Sequence, residues 1–349
     1  MTDRARATLV GSLIVLASLG AATTAHADAA GPTDYRSEVV SVDPETPAIE
    51  VSIVGGDAFV ELRADEGTEV FVLGYEGEPY LWFQPDGTVL ENQNSPATYI
   101  NRDRYGTIEI PAVADGEADA DWKQVASGGH WAWHDHRSHW MQTTRPVGQA
   151  PGDQILDATI PLVVDGTDVG VQVVSTWLPE PSPVAGWLGG VAGLALAVMS
   201  WQMRRRDRSM PAISATVPAA LLALLVGGWQ YLSLPAVTGP RPIWFVLPAI
   251  AVASAAAGTV AGRRGHGFAA DAAQLLVGVE LAIWGFIRRD GLSAAIIPTD
   301  APHWLDRFAT AMALAGGVAF AALALWWLFA ATGVSGSREP TGSPHPAHP

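Results

Sequence analysis

The chain of 349 residues contains no cysteine. That absence excludes a disulfide framework, thiolate metal sites and a cysteine nucleophile. Charge is scarce, at 16% of residues, and bases are fewer than acids, 20 against 35. Nucleic acid is therefore excluded as a partner class, because holding a polyanion needs clustered Lys and Arg. No Gly-x-Ser-x-Gly elbow, phosphate loop or His-Glu-x-x-His is present. The carboxylates are too scattered to nominate a glycosidase pair. Nothing in the sequence nominates an enzyme.

The charge that is present divides sharply. Residues 28–182 carry 27 acids and 7 bases, and the rest of the chain carries 8 acids and 13 bases. The long apolar runs lie in the second group. This pattern implies an acidic domain joined to a membrane domain. At the start of the chain, Arg4 and Arg6 precede an apolar run from Leu9 to Leu19. The run is too short to span a bilayer and has the length of a signal peptide. Cleavage after Ala27 leaves Asp28 first, and cleavage after Ala25 leaves His26 first. A signal at 1–27 exports the acidic domain, 28–182.

That domain is expected to be an all-β sandwich. Short runs rich in Val, Ile and aromatics cover 49–54, 58–63, 69–74, 80–83, 88–92, 106–110, 158–164 and 170–178. Turn residues separate them, including Asp86-Gly87 and Asp165-Gly166. Asp-Gly between alternating runs marks a hairpin, since a type I′ turn needs positive φ at both central residues. Regular short strands of this kind suggest a sandwich. Pro111 to Asp121 is expected to be a loop.

Residues 183–334 are expected to form an α-helical membrane bundle of five transmembrane helices, followed by a cytoplasmic tail, 335–349. After the stiff linker Pro179-Glu180-Pro181-Ser182-Pro183, the spans are 184–203, 212–234, 243–262, 268–287 and 309–332. Each matches the ~20 residues that cross a bilayer. With the β-domain outside, Arg204, Arg205, Arg206, Arg208, Arg263 and Arg264 fall inside and Arg241, Arg288, Arg289 and Arg307 outside, a bias in the direction the positive-inside rule prefers. Gly186 and Gly190, and Gly258 and Gly262, have the spacing of close helix contacts. Glu280 sits mid-span, where a carboxylate is expensive. It reads either as a proton or cation relay in a small transporter or as a protonated or hydrogen-bonded carboxyl that fixes helix packing. Asp271, nine residues earlier, falls on roughly the opposite helix face.

Most of the possible chemistry lies in His130-Trp131-Ala132-Trp133-His134-Asp135-His136-Arg137-Ser138-His139-Trp140-Met141, with four of the nine histidines. Imidazole suits Cu and Zn, and thioether is a soft ligand for Cu(I). His130, His134, His136, His139 and Met141 are the candidate metal ligands. An extended chain points His130, His134 and His136 to one face, and His139 and Met141 to the other with Trp131 and Trp133. His139 or Met141 joins the first group only if the chain turns near Ser138. The competing reading is packing: tryptophans in the core or between the sheets, histidines hydrogen-bonded between them, and Asp135 and Arg137 pairing or orienting the rings.

The same run, with Gly31-Pro32-Thr33-Asp34-Tyr35-Arg36 and Gly74-Tyr75-Glu76-Gly77-Glu78-Pro79-Tyr80, resembles a group of uncharacterised exported membrane proteins of actinobacteria. The resemblance covers the exported domain and the layout of the spans, and it implies no established activity. The layout is more loosely similar to periplasmic copper-resistance proteins, which pair a small β-domain with a membrane domain. Their β-domains can use an amino-terminal His as a copper ligand, which His26 matches if cleavage follows Ala25.

The expectation is a multi-pass cell-membrane protein in a lipid bilayer, with an extracytoplasmic β-domain that binds or delivers a metal ion, copper or zinc. The alternatives are a non-enzymatic module that supports another envelope protein, and a small transporter using Glu280. Reporter fusions test the topology. Fusions after Arg208 and after Gly267 are expected to report cytoplasm, and a fusion at Ala301 the exterior; the opposite pattern overturns the arrangement.

Overall fold

The computed structural model of the chain describes residues 30–206 and 211–333. The expected signal segment with its two candidate cleavage points and His26, the base Arg208 and the tail 335–349 lie outside the described residues.

The acidic region forms two antiparallel sheets. The larger has the order β1 (Tyr35–Asp43), β10 (Thr167–Trp177), β9 (Gln154–Val164), β4 (Val70–Leu73), β5 (Pro79–Phe83), β6 (Val89–Asn92) and β7 (Trp122–Ala126). The smaller joins β2 (Ile49–Val54), β3 (Phe59–Ala64) and β8 (His130–Trp133). The sheets share one core. Val60, Leu62 and Trp133 of the smaller sheet pack with Val72, Leu81, Phe83, Ile160, Leu162 and Val171 of the larger. In β10, alternate residues Val169, Val171 and Val173 are buried, the period-2 signature of a strand with one face on a core.

Turn chemistry sets the registers. Asp165 and Gly166 both have positive φ, 47° and 77°, so the β9–β10 hairpin closes with a tight two-residue loop. Asp86-Gly87 behaves differently. Only Gly87 is left-handed, at 83°, and its N–H donates to Gln84 O while the Asp86 carboxylate accepts from Thr88 N.

One expected strand is absent. Residues 106–110 form no strand, because Asp103 offers that backbone local partners: its carboxylate accepts from Tyr105 N and Thr107 N. Gly106, at φ +63°, turns the chain. A short helix, α1 (Pro96–Ile100), starts at Ser95, whose hydroxyl caps Ala97 N.

Among the described residues, five helices are long and apolar enough to cross a membrane, and they coincide with the expected spans. They are α2 (Val184–Arg205), α3 (Val217–Ser233, entered through a 3-10 turn at Ala212–Thr216), α4 (Ile243–Arg263), α5 (Gly267–Ile287) and α6 (His303–Gly333). Backbone packing divides the chain into two compact units. One holds both sheets with Val226–Phe245 and Arg288–Arg307, and the other holds Gly186–Leu225, Val246–Ile287 and α6 from Phe308 onward.

In the first unit, two interhelical loops dock on the sheets. Thr33 and Ile296 exchange backbone hydrogen bonds, and Asp34 accepts from Ala295 N at 3.0 Å. Leu234 joins Ala30, Ala58, Phe59 and Ala132 in an apolar cluster. Arg288 is buried against Asp306 and Gln230, and Arg307 donates to the carbonyls of Gly291, Ala294 and Ala295.

In the second unit, glycines bring helix backbones together. A Cβ on Gly317 would lie 2.5 Å from Ala282 N and 2.7 Å from Gly278 O, so α5 and α6 touch backbone to backbone. Gly258 lies against the side chains of Ile213 and Ala273, and Gly262 against Pro211 and, further off, Ala270, so here the glycines admit side chains and not a neighbouring backbone. On α2 the contact falls at Gly189 and Gly193 instead, and Gly190 faces open space. Arg204 and Asp271 pair at 2.9 Å.

Glycine substitutions separate these two situations. Gly317→Ala is expected to destabilise the bundle by about 1–3 kcal/mol, since the added methyl meets backbone. Gly190→Ala is expected to be neutral or slightly stabilising. Thermal melts of the full chain in detergent check both; equal effects would contradict the packing.

Candidate imidazole site

The cluster is built by a turn, not by a strand. Strand β8 ends at Trp133, and the next five residues reverse direction. Asp135 drives the reversal. Its carboxylate accepts from Trp133 Nε1 at 3.1 Å, from Arg137 N at 3.0 Å and from Arg137 Nε and Nη2 at 2.8 Å each. Its carbonyl accepts from Ser138 N at 2.9 Å and Ser138 Oγ at 2.7 Å. Burial pushes this carboxyl up, but the Arg137 and Trp133 donors win and hold it below the usual carboxylate range. Arg137 in turn donates to Leu73 O and lies over the Tyr75 ring. The turn is thus bolted to the end of β4.

The turn brings His134, His136 and His139 together. The ring centroids of His136 and His139 are 5.3 Å apart, and those of His134 and His139 are 6.3 Å apart. All three side chains are buried. This corrects the extended-chain picture, which set His139 on the opposite face. The turn at Ser138 is the condition under which His139 could join, and it is met. His130 does not join. It remains on β8, where its Nε2 lies 2.5 Å from Glu61 of β3. Met141 is half-exposed near the rim. Its Cε and the His136 ring both lie within 4 Å of where a Cβ on Gly106 would be. Gly106 therefore leaves the gap between them open.

Hydrogen bonds fix the tautomers. His136 Nε2 faces Asp103 O at 2.9 Å, and His139 Nδ1 faces Trp140 O at 3.3 Å. A carbonyl oxygen only accepts, so these ring nitrogens carry the protons. The remaining nitrogen of His139, Nε2, is left with a lone pair. His139 Nε2 is buried and no hydrogen-bond partner reaches it among the described residues. Burial, the nearby Arg104 guanidinium and the neighbouring imidazoles push the His139 pKa down to about 3, so the ring is neutral. His134 stacks on Phe59 at 4.4 Å.

A buried ion pair borders the site. Arg104 and Asp57 pair, and Thr33 Oγ1 donates to Asp57. His136 N donates to Tyr75 Oη, which donates to Asn101 Oδ1. The sequence reading missed Tyr75, Asp103, Arg104 and Asp57. Each comes from a loop far away in sequence, and no local pattern marks it. Of these contacts the sequence suggested only a pairing of Asp135 with Arg137.

Among the described residues, no group of three or more His, Asp or Glu side chains is arranged to hold a metal ion. The pair His136 and His139 fits one ion better than the trio does. Two imidazoles on a shared ion have centroids about 5 to 6 Å apart, given metal–nitrogen bonds of about 2 Å. Glu280 lies in the other compact unit, buried within α5. Comparison with protein-family models, curated proteins and solved structures returns no match.

The neutral buried ring has a pH consequence. The folded-state pKa of His139 is depressed below that of the unfolded chain. The unfolded state therefore binds one more proton between about pH 6.5 and 3, and stability falls as pH drops through that window. The slope from this residue is about 1.4 kcal/mol per pH unit. Denaturant melts at pH 7 and pH 5 measure it. The His139→Leu variant is expected to flatten the dependence, and an unchanged slope would contradict the assignment.

Proposed function

We propose that the protein is a multi-pass component of the cell envelope. Its acidic β-domain faces the exterior and carries an imidazole site for a soft or borderline cation, copper first and zinc second. One observation carries this reading: His139 keeps a buried lone pair with no partner among the described residues, while its other nitrogen is committed to a backbone carbonyl. Metal-bound histidines take this arrangement, one nitrogen on the ion and the other donating to a carbonyl. His136 repeats the pattern through Asp103 O. Met141 at the rim adds a soft donor that suits Cu(I). The excess of acids over bases in 28–182 raises the local cation concentration.

The orientation rests on the arginines. On the side of the docked loops, Arg288 and Arg307 are buried in hydrogen bonds, which removes them from the balance of free charge. Arg205, Arg206, Arg263 and Arg264 remain at the opposite helix ends, the side the positive-inside rule assigns to the cytoplasm. A second reading makes the domain a support for another envelope protein. The exposed apolar residues Ile108, Ile110 and Val113 on one loop favour it.

Metal titration of the full chain tests the main reading. Competition with a chromophoric chelator is expected to detect one Cu(I) per chain. His136→Ala is expected to weaken binding at least tenfold, and His130→Ala to leave it unchanged. Met141→Leu is expected to weaken Cu(I) but not Zn(II). Absence of binding by the wild type, or equal losses at His130 and His136, overturns the metal reading and leaves the packing role.

A further inference from the structure

Glu280 poses a separate problem inside the helical unit. Only 3% of its surface is exposed, and its Oε2 is buried with no hydrogen-bond partner among the described residues. The other acids of the spans are paired: Asp271 with Arg204, and Asp306 with Arg288. Glu280 lies seven residues after Ala273, two turns along one helix face. Ala273 meets Gly258 of α4, so Glu280 belongs to the stripe of α5 that faces α4. Continuing the antiparallel register by two turns sets Ala251 of α4 opposite Glu280, and Ala251 is fully buried.

No charge is available to neutralise it. Residues 186–203, 212–225, 246–262 and 308–330 contain no Asp, Glu, Lys, Arg or His. On α5 itself the nearest charge is Asp271, nine residues away and already paired. An isolated carboxylate in such surroundings carries a heavy desolvation penalty. A metal cation does not relieve it, because hard cations require about six oxygen ligands and the carboxyl supplies two. A proton needs one oxygen.

We propose that Glu280 is a proton-binding site in the interior of the helical unit, holding H+ and no metal ion. It is at the same time a modification site for apolar carbodiimides. The acid proton passes to a carbodiimide nitrogen and the carboxyl oxygen bonds to the central carbon. The acyl group then migrates from oxygen to nitrogen, giving a stable N-acylurea with no leaving group. An apolar reagent reaches the bundle through lipid, and ionised surface acids do not react with it.

The test treats the full chain in lipid with dicyclohexylcarbodiimide at pH 7 and maps the adduct by peptide mass spectrometry. Glu280 is expected to be labelled at least tenfold more than Asp271 or Asp306, and Glu280→Gln to remove the label. Infrared spectroscopy provides an independent readout. The wild type is expected to show the carbonyl stretch of a protonated acid, shifted in heavy water and missing in Glu280→Gln. Labelling of Glu280 no greater than that of the paired acids, or a protonated-acid band that survives in Glu280→Gln, overturns the proposal. Should Glu280→Gln fail to fold, labelling of the wild type against Asp271 and Asp306 still decides.

Discussion

Asp135 is fully buried, and four hydrogen bonds converge on its two carboxylate oxygens. A buried charge is tolerable only when paired and hydrogen-bonded, so the chain around it has little freedom. Trp133, Arg137 and Ser138 must all close on it. That closure ends β8, reverses the backbone and delivers His139 to His136. Arg137 then joins the turn to the end of β4 through Leu73 O and the face of Tyr75. Replacing the carboxylate would leave a buried guanidinium unpaired, a loss of about 3–5 kcal/mol. The imidazole cluster is a consequence of how this one carboxylate is satisfied.

A second buried pair ties the cluster to the loops of the helical region. Arg104 and Asp57 neutralise each other beneath His139, and Thr33 donates to the same carboxylate. The backbone of Thr33 pairs with Ile296 of an interhelical loop. Phe59 stacks on His134 and also packs with Leu234 of another loop. The cluster therefore lies on the side of the sheets where both loops dock.

The fold was largely legible in the sequence, and the reasons are local. Hydropathy over about twenty residues located five helices, because lipid imposes length and composition with few exceptions. Asp165-Gly166 announced its hairpin, because positive φ at two successive residues is a demand few residue types meet. Residues 106–110 misled, since an alternating apolar pattern gave no sign that Asp103 would capture the adjacent backbone N–H groups. Strand β1 was overlooked because its polar residues, Ser37, Glu38 and Ser41, hide the alternation. At the site, the histidines were visible and their grouping was not. An extended chain and a turn at Ser138 distribute the same four rings in different ways. The choice between them rests on Arg137 and Tyr75, whose roles depend on long-range packing.

The central claim is that His139 is neutral and keeps one bare, buried nitrogen. Nitrogen-15 NMR of the histidine-labelled, metal-free full chain at pH 7 reports this directly, because protonated and unprotonated ring nitrogens resonate far apart. The account predicts His139 protonated at Nδ1 only. An imidazolium at His139, or its opposite tautomer, would contradict it.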